Sequence, residues 1–544
     1  MFWLWILCSF LITALGQPAR VPLLGVFSAA FGFALFWKAM LCFPAKRDRF
    51  LLAFVWFGAV QSIQLSWMAS LDYMGPLILF VWMGLLAAMG VQFGILSLFL
   101  VPGEKIHFRL LFAIGGCWTL FEWVRLFLLT GFTWNPVGLA LTNFSYPLQF
   151  AAVFGIYGLS FWVILVNVAA LNAFFLQRSK RNAVIWAAFA LFPYVFGAVH
   201  QSFIEKYIPH SQMLSVALVQ TALLPDEKEY LTDRLQTPMP PLEQWERVLN
   251  LLKSDAPLDM IVLPESAVAL SAYQTYYPLE HVEKIWERRF GKRGLVDFPS
   301  LDRPYAEPFL VNRTLQWKVS NAFISQALAN HFKAHVIIGF DDHLLSGGKV
   351  NAAFHFQPGG QIPERCEKRV LVPVGEYIPL ANFRLLSKFV ASQFGIGSSF
   401  QPGKVAKIFN AAVPLGVSIC YEETYTDLIR DLRLKGAELF VNISNDAWFP
   451  RSKLAQQHYH HGRIRAVENG VGVIRACNTG VTCAINCFGQ TVSKLPESET
   501  TESALFLSFP LRSYKTLYTW WGDSAILGLS LLSFLFYVGK KKLL

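Results

Sequence analysis

Charge is what this chain has least of. Lys, Arg, Asp and Glu together make 15% of its 544 residues, against roughly 25% in an ordinary soluble domain. Acidic side chains are scarcest at the front, where only Asp48, Asp72, Glu104 and Glu122 occur in the first 200 residues. No aqueous domain is built from such a composition, so the front part is expected to sit in lipid. Metal-type cysteine spacing is also missing. The eight cysteines (Cys8, Cys42, Cys117, Cys366, Cys420, Cys477, Cys483, Cys487) form no CxxC and no paired Cys/His pattern, which argues against zinc. No internal repeat or low-complexity tract is present, and the first apolar run lacks the charged leader of a signal peptide.

What is there is hydrophobicity: 54% of residues are hydrophobic, with 48 Phe and 17 Trp. Seven apolar stretches precede residue 205, at about 2–16, 21–43, 50–70, 76–101, 108–130, 148–176 and 183–200, and an eighth spans about 522–538. Each is read as a transmembrane helix, a crossing needing about 20 apolar residues. The net charge of +11 does not signal nucleic acid, because the basic residues gather in alternate short loops. Lys46, Arg47 and Arg49 follow the second stretch, Lys105 and Arg109 the fourth, Arg178, Lys180 and Arg181 the sixth, and Lys540, Lys541 and Lys542 the last. The opposite loops hold little besides Arg20 and Asp72. Positive loops stay inside, so both termini are expected in the cytoplasm and residues 205–515 outside.

That segment reads as α/β. Ser215–Gln220, Met260–Leu263, His335–Gly339, Glu438–Ile443, Gly472–Ala476 and Val481–Ile485 have strand character. Tyr425–Lys435 is an amphipathic helix ending at Gly436. The Tyr-, Arg- and Pro-rich stretch 271–320 has weak periodicity and is expected to be a long loop or an insertion over the domain surface.

Three segments deliver a reactive side chain at the end of an apolar run. Leu263-Pro264-Glu265 places a carboxylate past a strand, suited to general-base work. Lys368, in Arg365-Cys-Glu-Lys-Arg, can steady an oxyanion, with Glu376 nearby to orient it. Ile419-Cys420-Tyr421-Glu422 ends a strand at a thiol just before a helix, an arrangement expected to lower the thiol pKa. Taken alone, Glu265 and Lys368 are each better explained as a turn residue, and Cys420 is as readily an inert buried thiol.

Together the three resemble the nitrilase superfamily, in which Glu, Lys and Cys follow one another at strand ends. The surrounding runs are similar to those of the bacterial apolipoprotein N-acyltransferases: Leu263-Pro-Glu-Ser-Ala267, Lys368 with Leu371-Val-Pro and Gly375-Glu-Tyr, Cys420-Tyr-Glu422, Asn442-Ile-Ser-Asn-Asp-Ala-Trp-Phe449, and Arg465-Ala-Val-Glu468 running on to Arg475-Ala-Cys-Asn-Thr-Gly480. Trp118, Glu122, Arg125 and Thr130-Gly-Phe-Thr-Trp134 extend the likeness into the membrane part. Val374, Pro450 and Val471 depart from it.

The resemblance implies a polytopic helical membrane domain of about eight helices joined to an α-β-β-α nitrilase-like sandwich: helices one to seven in 1–204, the catalytic domain in 205–515, and the last helix with a basic tail in 516–544. It implies a Glu265–Lys368–Cys420 triad supported by Glu376, Tyr421 and Glu422. Trp448 and Phe449 are expected on a substrate loop, and Glu122 and Arg125, three apart on one helix, as a structural pair. The implied reaction is transfer of a fatty acyl chain from a phospholipid, through a cysteine thioester, to the α-amine of a diacylglyceryl apolipoprotein in the bacterial inner membrane. Such an enzyme would be a monomer, needing no cofactor, metal or nucleic acid. A tethered small-amide hydrolase, a ligand-binding transporter or receptor, and a catalytically silent scaffold are the rival readings; a transporter would show more intramembrane charge and a repeat, and the intact triad argues against the scaffold.

Overall fold

The structure is a computed structural model. It describes residues 1–544 apart from 19–20, 129, 229–236, 254–255, 312, 345–346, 361, 380–382, 384, 386–387, 389–398 and 542–544; Arg20 and Lys542 of the charge pattern lie outside the described residues.

All eight apolar stretches are helical, but not all are long and apolar enough to cross a membrane. Five are: Pro22–Met40, Ile78–Ser97, Phe108–Phe127, Ala151–Leu176 and Lys180–Tyr207. Phe2–Leu15 has 14 residues, about 21 Å of helix at 1.5 Å per residue, which falls short of a hydrocarbon core about 30 Å thick. The last helix, Ser524–Lys541, has 18 residues and ends in two lysines, and Lys46–Gln64 carries Lys46, Arg47, Asp48 and Arg49 in its first turn. Among the described residues, five of the about eight expected helices thus have the length and composition of a crossing, beside three that are shorter or carry charge.

Helix Ala151–Ala170 is the hub of this bundle, buried along most of its length. Its Asn167 satisfies backbone groups that a π-turn at Ser28–Gly32 leaves without helical partners. The side-chain oxygen accepts from the Phe33 and Ala34 N–H groups at 2.9 and 3.2 Å, and its NH2 donates to the Ala29 carbonyl at 2.8 Å. Inside lipid such pairing must be internal. The hub helix breaks at Gly155, where φ is +64°. The Ile156 N–H freed there donates to Glu468 of the α/β domain at 2.8 Å.

The α/β domain holds two six-stranded sheets. The first runs Ser503–Leu511, Gln212–Gln220, Met260–Val262, His335–His343, Lys349–Phe356, Glu364–Glu367; the second runs Thr491–Lys494, Cys483–Ile485, Gly472–Cys477, Leu439–Ser444, Pro414–Ile419, Ile408–Asn410. Their central strands are parallel. The sheets face each other through Val216, Leu218, Val262, Ile337, Val417, Val441 and Ile474. Helices Pro241–Leu251 and Asn321–Phe332 cover the outside of the first sheet, and helices Thr426–Leu434 and Leu454–Asn469 cover the second. Both faces of each central strand are thus buried, which is why these strands read as unbroken apolar runs. The first and last strands of the domain pair antiparallel from Gln212–Leu511 to Gln220–Ser503.

Of the two expectations for 271–320, a long loop or an insertion, the stretch is an insertion with structure of its own. Leu279–Phe290 is an amphipathic helix burying Val282, Ile285 and Trp286, and Tyr277–Pro278, Thr314–Val319 and Ala306–Val311 form a three-stranded antiparallel sheet. Its helix and hairpin are too short, and too interrupted by Pro and Gly, for a period to show in the sequence. All eight cysteines are free thiols. Burial pushes Cys477 and Cys487 up to about 12, so these thiols are inert.

Candidate active site

Each of the three reactive residues ends a strand of the sandwich. Glu265 follows Met260–Val262 through Leu263-Pro264, and its turn lies against Gly339. The Ala267 N–H donates to the Gly339 carbonyl at 3.0 Å and the Gly339 N–H to the Pro264 carbonyl at 3.1 Å. A Cβ at position 339 would lie 2.7 Å from the Glu265 Cα, so only glycine lets the Glu265 turn close on the strand His335–His343. Lys368 follows Glu364–Glu367, and its N–H donates to the Asn351 carbonyl at 2.8 Å. Cys420 follows Pro414–Ile419 with φ +52°, in the left-handed region, a strained setting for a residue with a Cβ.

The side chains converge. Lys368, fully buried, places its ammonium 3.0 Å from Glu265 Oε1 and 2.8 Å from Glu376 Oε1. Asn351 Nδ2 donates to the same two oxygens at 2.7 and 3.0 Å, and Glu376 Oε2 accepts from the Val372 N–H at 2.8 Å. Burial opposes the charge on Lys368, but the two carboxylates outweigh it and hold the ammonium well above its ordinary pKa. The cation is therefore permanent and bridges two anions, which is how a buried charge is sustained.

The thiol departs from expectation. Desolvation, then the negative charge of Glu265, holds Cys420 well above its ordinary pKa, with Lys368 pulling the other way. The anticipated acidifying α-helix does not start at the cysteine. Cys420–Thr424 is a five-residue 3₁₀ turn, and the α-helix begins only at Thr426, beyond the first turn over which a helix dipole acts. At neutral pH the Cys420 side chain is therefore a neutral thiol.

Glu422 ties the two halves together. Its Oε2 accepts from the Ile419 N–H at 2.9 Å, and its Oε1 from the Arg369 and Val370 N–H groups at 2.5 and 3.2 Å. One carboxylate thereby fixes the strand before Cys420 to the chain after Lys368. Tyr421 reaches into the membrane half: its hydroxyl donates to the Gly131 carbonyl at 2.9 Å and its ring stacks on Trp134 at 5.6 Å. Tyr425 donates to the Thr130 carbonyl at 2.8 Å, Thr133 and Thr424 share a 2.5 Å bond, and Thr130 donates to the Leu371 carbonyl at 3.2 Å. Segment 130–134 of the membrane half thus grips both the cysteine loop and the lysine loop.

Phe449 packs edge-on against Trp67 at 5.0 Å, and the partly exposed Trp448 meets Tyr73 at 6.0 Å. Glu122 and Arg125 form no ion pair with each other. Glu122 Oε1 accepts from Trp118 Nε1 at 2.7 Å and from the Val137 N–H at 2.9 Å, whereas Arg125 Nε donates to Gln92 at 2.9 Å. Both line a cavity of about 20 Å3 shared with Thr133, Thr424 and His461, room for a water molecule or so. Sequence reasoning missed Asn351, which lies in an apolar strand with no motif around it, and His458, hidden in a histidine-rich helix. Among the described residues no group of three His, Cys, Asp or Glu side chains is placed to hold a metal.

Comparison with known proteins assigns both halves. Residues 215–508 match the family model described as carbon-nitrogen hydrolase, and residues 2–169 match the apolipoprotein N-acyltransferase N-terminal domain. The apolipoprotein N-acyltransferase of Chlamydia pneumoniae is 31% identical, the alignment covering 95% of this chain and 93% of that one. The enzyme of the same name from Chlamydia trachomatis is 30% identical over 99% and 97%. A carbon-nitrogen hydrolase from Helicobacter pylori of known structure is 17% identical, covering 60% of this chain and 95% of that one, with a TM-score of 0.34. With a full-length relative at this identity and both halves matched, the chain belongs to the apolipoprotein N-acyltransferase family.

Proposed function

We propose that this chain moves a fatty acyl chain from a membrane phospholipid to the α-amine of a diacylglyceryl N-terminal cysteine on an apolipoprotein, with Glu265, Lys368 and Cys420 as the reacting groups. The observation that carries this reading is the Lys368 ammonium bridging Glu265 and Glu376 (3.0 and 2.8 Å) beside a neutral, strained Cys420. Glu265 Oε1 is engaged by Lys368 and Asn351; its other oxygen has no bond to any described residue and is available for a proton.

In the first half-reaction Glu265 takes the thiol proton as sulfur attacks the ester carbonyl. Lys368 and the Tyr421 backbone N–H receive the oxyanion. Collapse breaks the ester C–O bond, Glu265 returns the proton to the leaving oxygen, and a lysophospholipid departs from a thioester on Cys420. In the second half Glu265 takes a proton from the incoming amine, nitrogen replaces sulfur at the carbonyl, and the thiol is restored. Apolar surroundings keep water from the thioester. The alternate basic loops support a topology with both termini in the cytoplasm and the α/β domain on the outer face of the inner membrane, where both lipid substrates are reached.

The test is intact mass of the detergent-purified protein after incubation with phospholipid alone. One acyl chain is expected on the protein, removable by hydroxylamine and absent from Cys420→Ala. An adduct in the alanine variant would overturn the nucleophile assignment, and no adduct in either protein would favour a hydrolase of small soluble amides.

A further inference from the structure

The carbonyl of Cys420 is held by a histidine that the reaction scheme leaves unused. His458 Nε2 lies 3.0 Å from the Cys420 oxygen, and its Nδ1 lies 3.0 Å from Asp446 Oδ1. Both partners are acceptors, a carbonyl and a carboxylate. Each bond needs a hydrogen on the ring, so the ring that makes both is an imidazolium. His458 is buried, with two carboxylates and one guanidinium around it. Glu423 Oε2 lies 3.6 Å from Nε2, Arg475 pairs with Glu423 and also donates to the His458 carbonyl, and Trp134 stands edge-on at 5.4 Å with His461 beyond it. Asn442 Nδ2 adds a longer contact of 3.4 Å to the same Cys420 oxygen.

That oxygen belongs to the peptide group whose N–H is Tyr421's. Hydrogen bonds in series polarise one another, and the effect grows with charge on the donor. A cation on the carbonyl draws density from the amide nitrogen and makes its N–H a stronger donor. It also pins a carbonyl whose residue sits at φ +52°. We propose that His458, held as an imidazolium by Asp446, is a positioning residue that acts through the Cys420–Tyr421 peptide to strengthen the backbone donor for the acylation oxyanion. This inference rests on the acyl-transfer reading given above.

Two reactions of the same sulfur separate this role from a merely structural one. Acylation by dioleoylphosphatidylethanolamine in detergent passes through an oxyanion. Alkylation by iodoacetamide forms a C–S bond and expels iodide without one. In the full-length protein, His458→Gln is expected to slow acylation about tenfold and His458→Ala about a hundredfold, weakening rather than deleting an oxyanion donor. Asp446→Asn, which removes the anion facing Nδ1, is expected to match His458→Gln. Alkylation of Cys420, followed from pH 7 to 10, is expected to stay within about twofold of the parent in the Gln and Asn variants. Acylation and alkylation falling together would reduce His458 to a structural role, and unchanged acylation in His458→Gln would overturn the proposal while leaving the triad intact. If the parent protein takes no acyl chain, both readings fall.

Discussion

At the scale of single residues, the site is governed by who neutralises whom. Lys368 has two carboxylates to answer, and Asn351 touches the same two oxygens. Asn351→Leu keeps the size but removes the NH2, leaving Glu265 and Glu376 each one donor short in a buried place. Acylation is expected to fall roughly 10–100-fold, on the basis of about 1–3 kcal/mol for a buried group stripped of its partner, with single-turnover mass measurement as the check. Cys420 answers to burial and to Glu265. A thiol held up in this way carries a vanishing thiolate fraction at neutral pH, and the fraction rises with every unit of pH. Alkylation of the resting protein by iodoacetamide should therefore keep climbing through pH 9. A plateau reached by pH 7 would mean a preformed thiolate and would contradict the environment described. These polar contacts were only half legible in the sequence. Glu265, Lys368, Glu376, Cys420 and Glu422 stand in recognisable runs, whereas Asn351 and His458 gain meaning only when the strand and helix carrying them are brought to the site.

At the scale of elements, boundaries written in hydrophobic periodicity were readable and those set by tertiary contact were not. The helix ending before Gly436 is visible in the sequence because an amphipathic stripe and a positive-φ glycine mark its end. The subdomain at 271–320 was not, since its pieces bury few residues each and only Trp286 and its neighbours show why they fold. The break at Gly155 is likewise silent in sequence. It exists because Glu468 accepts the freed Ile156 N–H and because Tyr518 fills the space beside it. A Cβ at 155 would meet the Tyr518 ring at 2.5 Å, at φ +64°. Gly155→Val is expected to destabilise the protein by about 3 kcal/mol or more, combining backbone strain with overpacking. Thermal unfolding followed by tryptophan fluorescence in detergent would show it, and an unchanged melting temperature would mean that the break carries no such constraint.

At the scale of the whole molecule, the membrane half and the α/β half share one apolar core. Tyr421, Leu454, Ile464 and Val467 pack into the same cluster as Trp118, Trp134 and Leu139, with Val370 and Val372 at its edge. The cysteine and lysine loops are therefore shaped partly by the helices. Residues 205–515 expressed alone should lose more than about a hundredfold in acylation, because misplacing reacting groups by an ångström costs that much. Activity retained in that piece would favour the soluble-amide reading. Within the intact chain, Trp134→Ala should cost about 3–5 kcal/mol of stability, with a clear loss of activity, measured by the same unfolding and mass assays.

The pairing of Gln212–Gln220 with Ser503–Leu511 sets a timetable as well as a shape. The strand that opens the domain borders one made almost 300 residues later, just before the final helix. During synthesis the early strand waits with one edge bare, an invitation to foreign strands, and the sandwich is complete only once Leu511 has emerged. Premature stops near the C-terminus, far from Cys420 in sequence, should thus produce not a clipped enzyme but an unfinished one, open along that edge and destined for proteolysis.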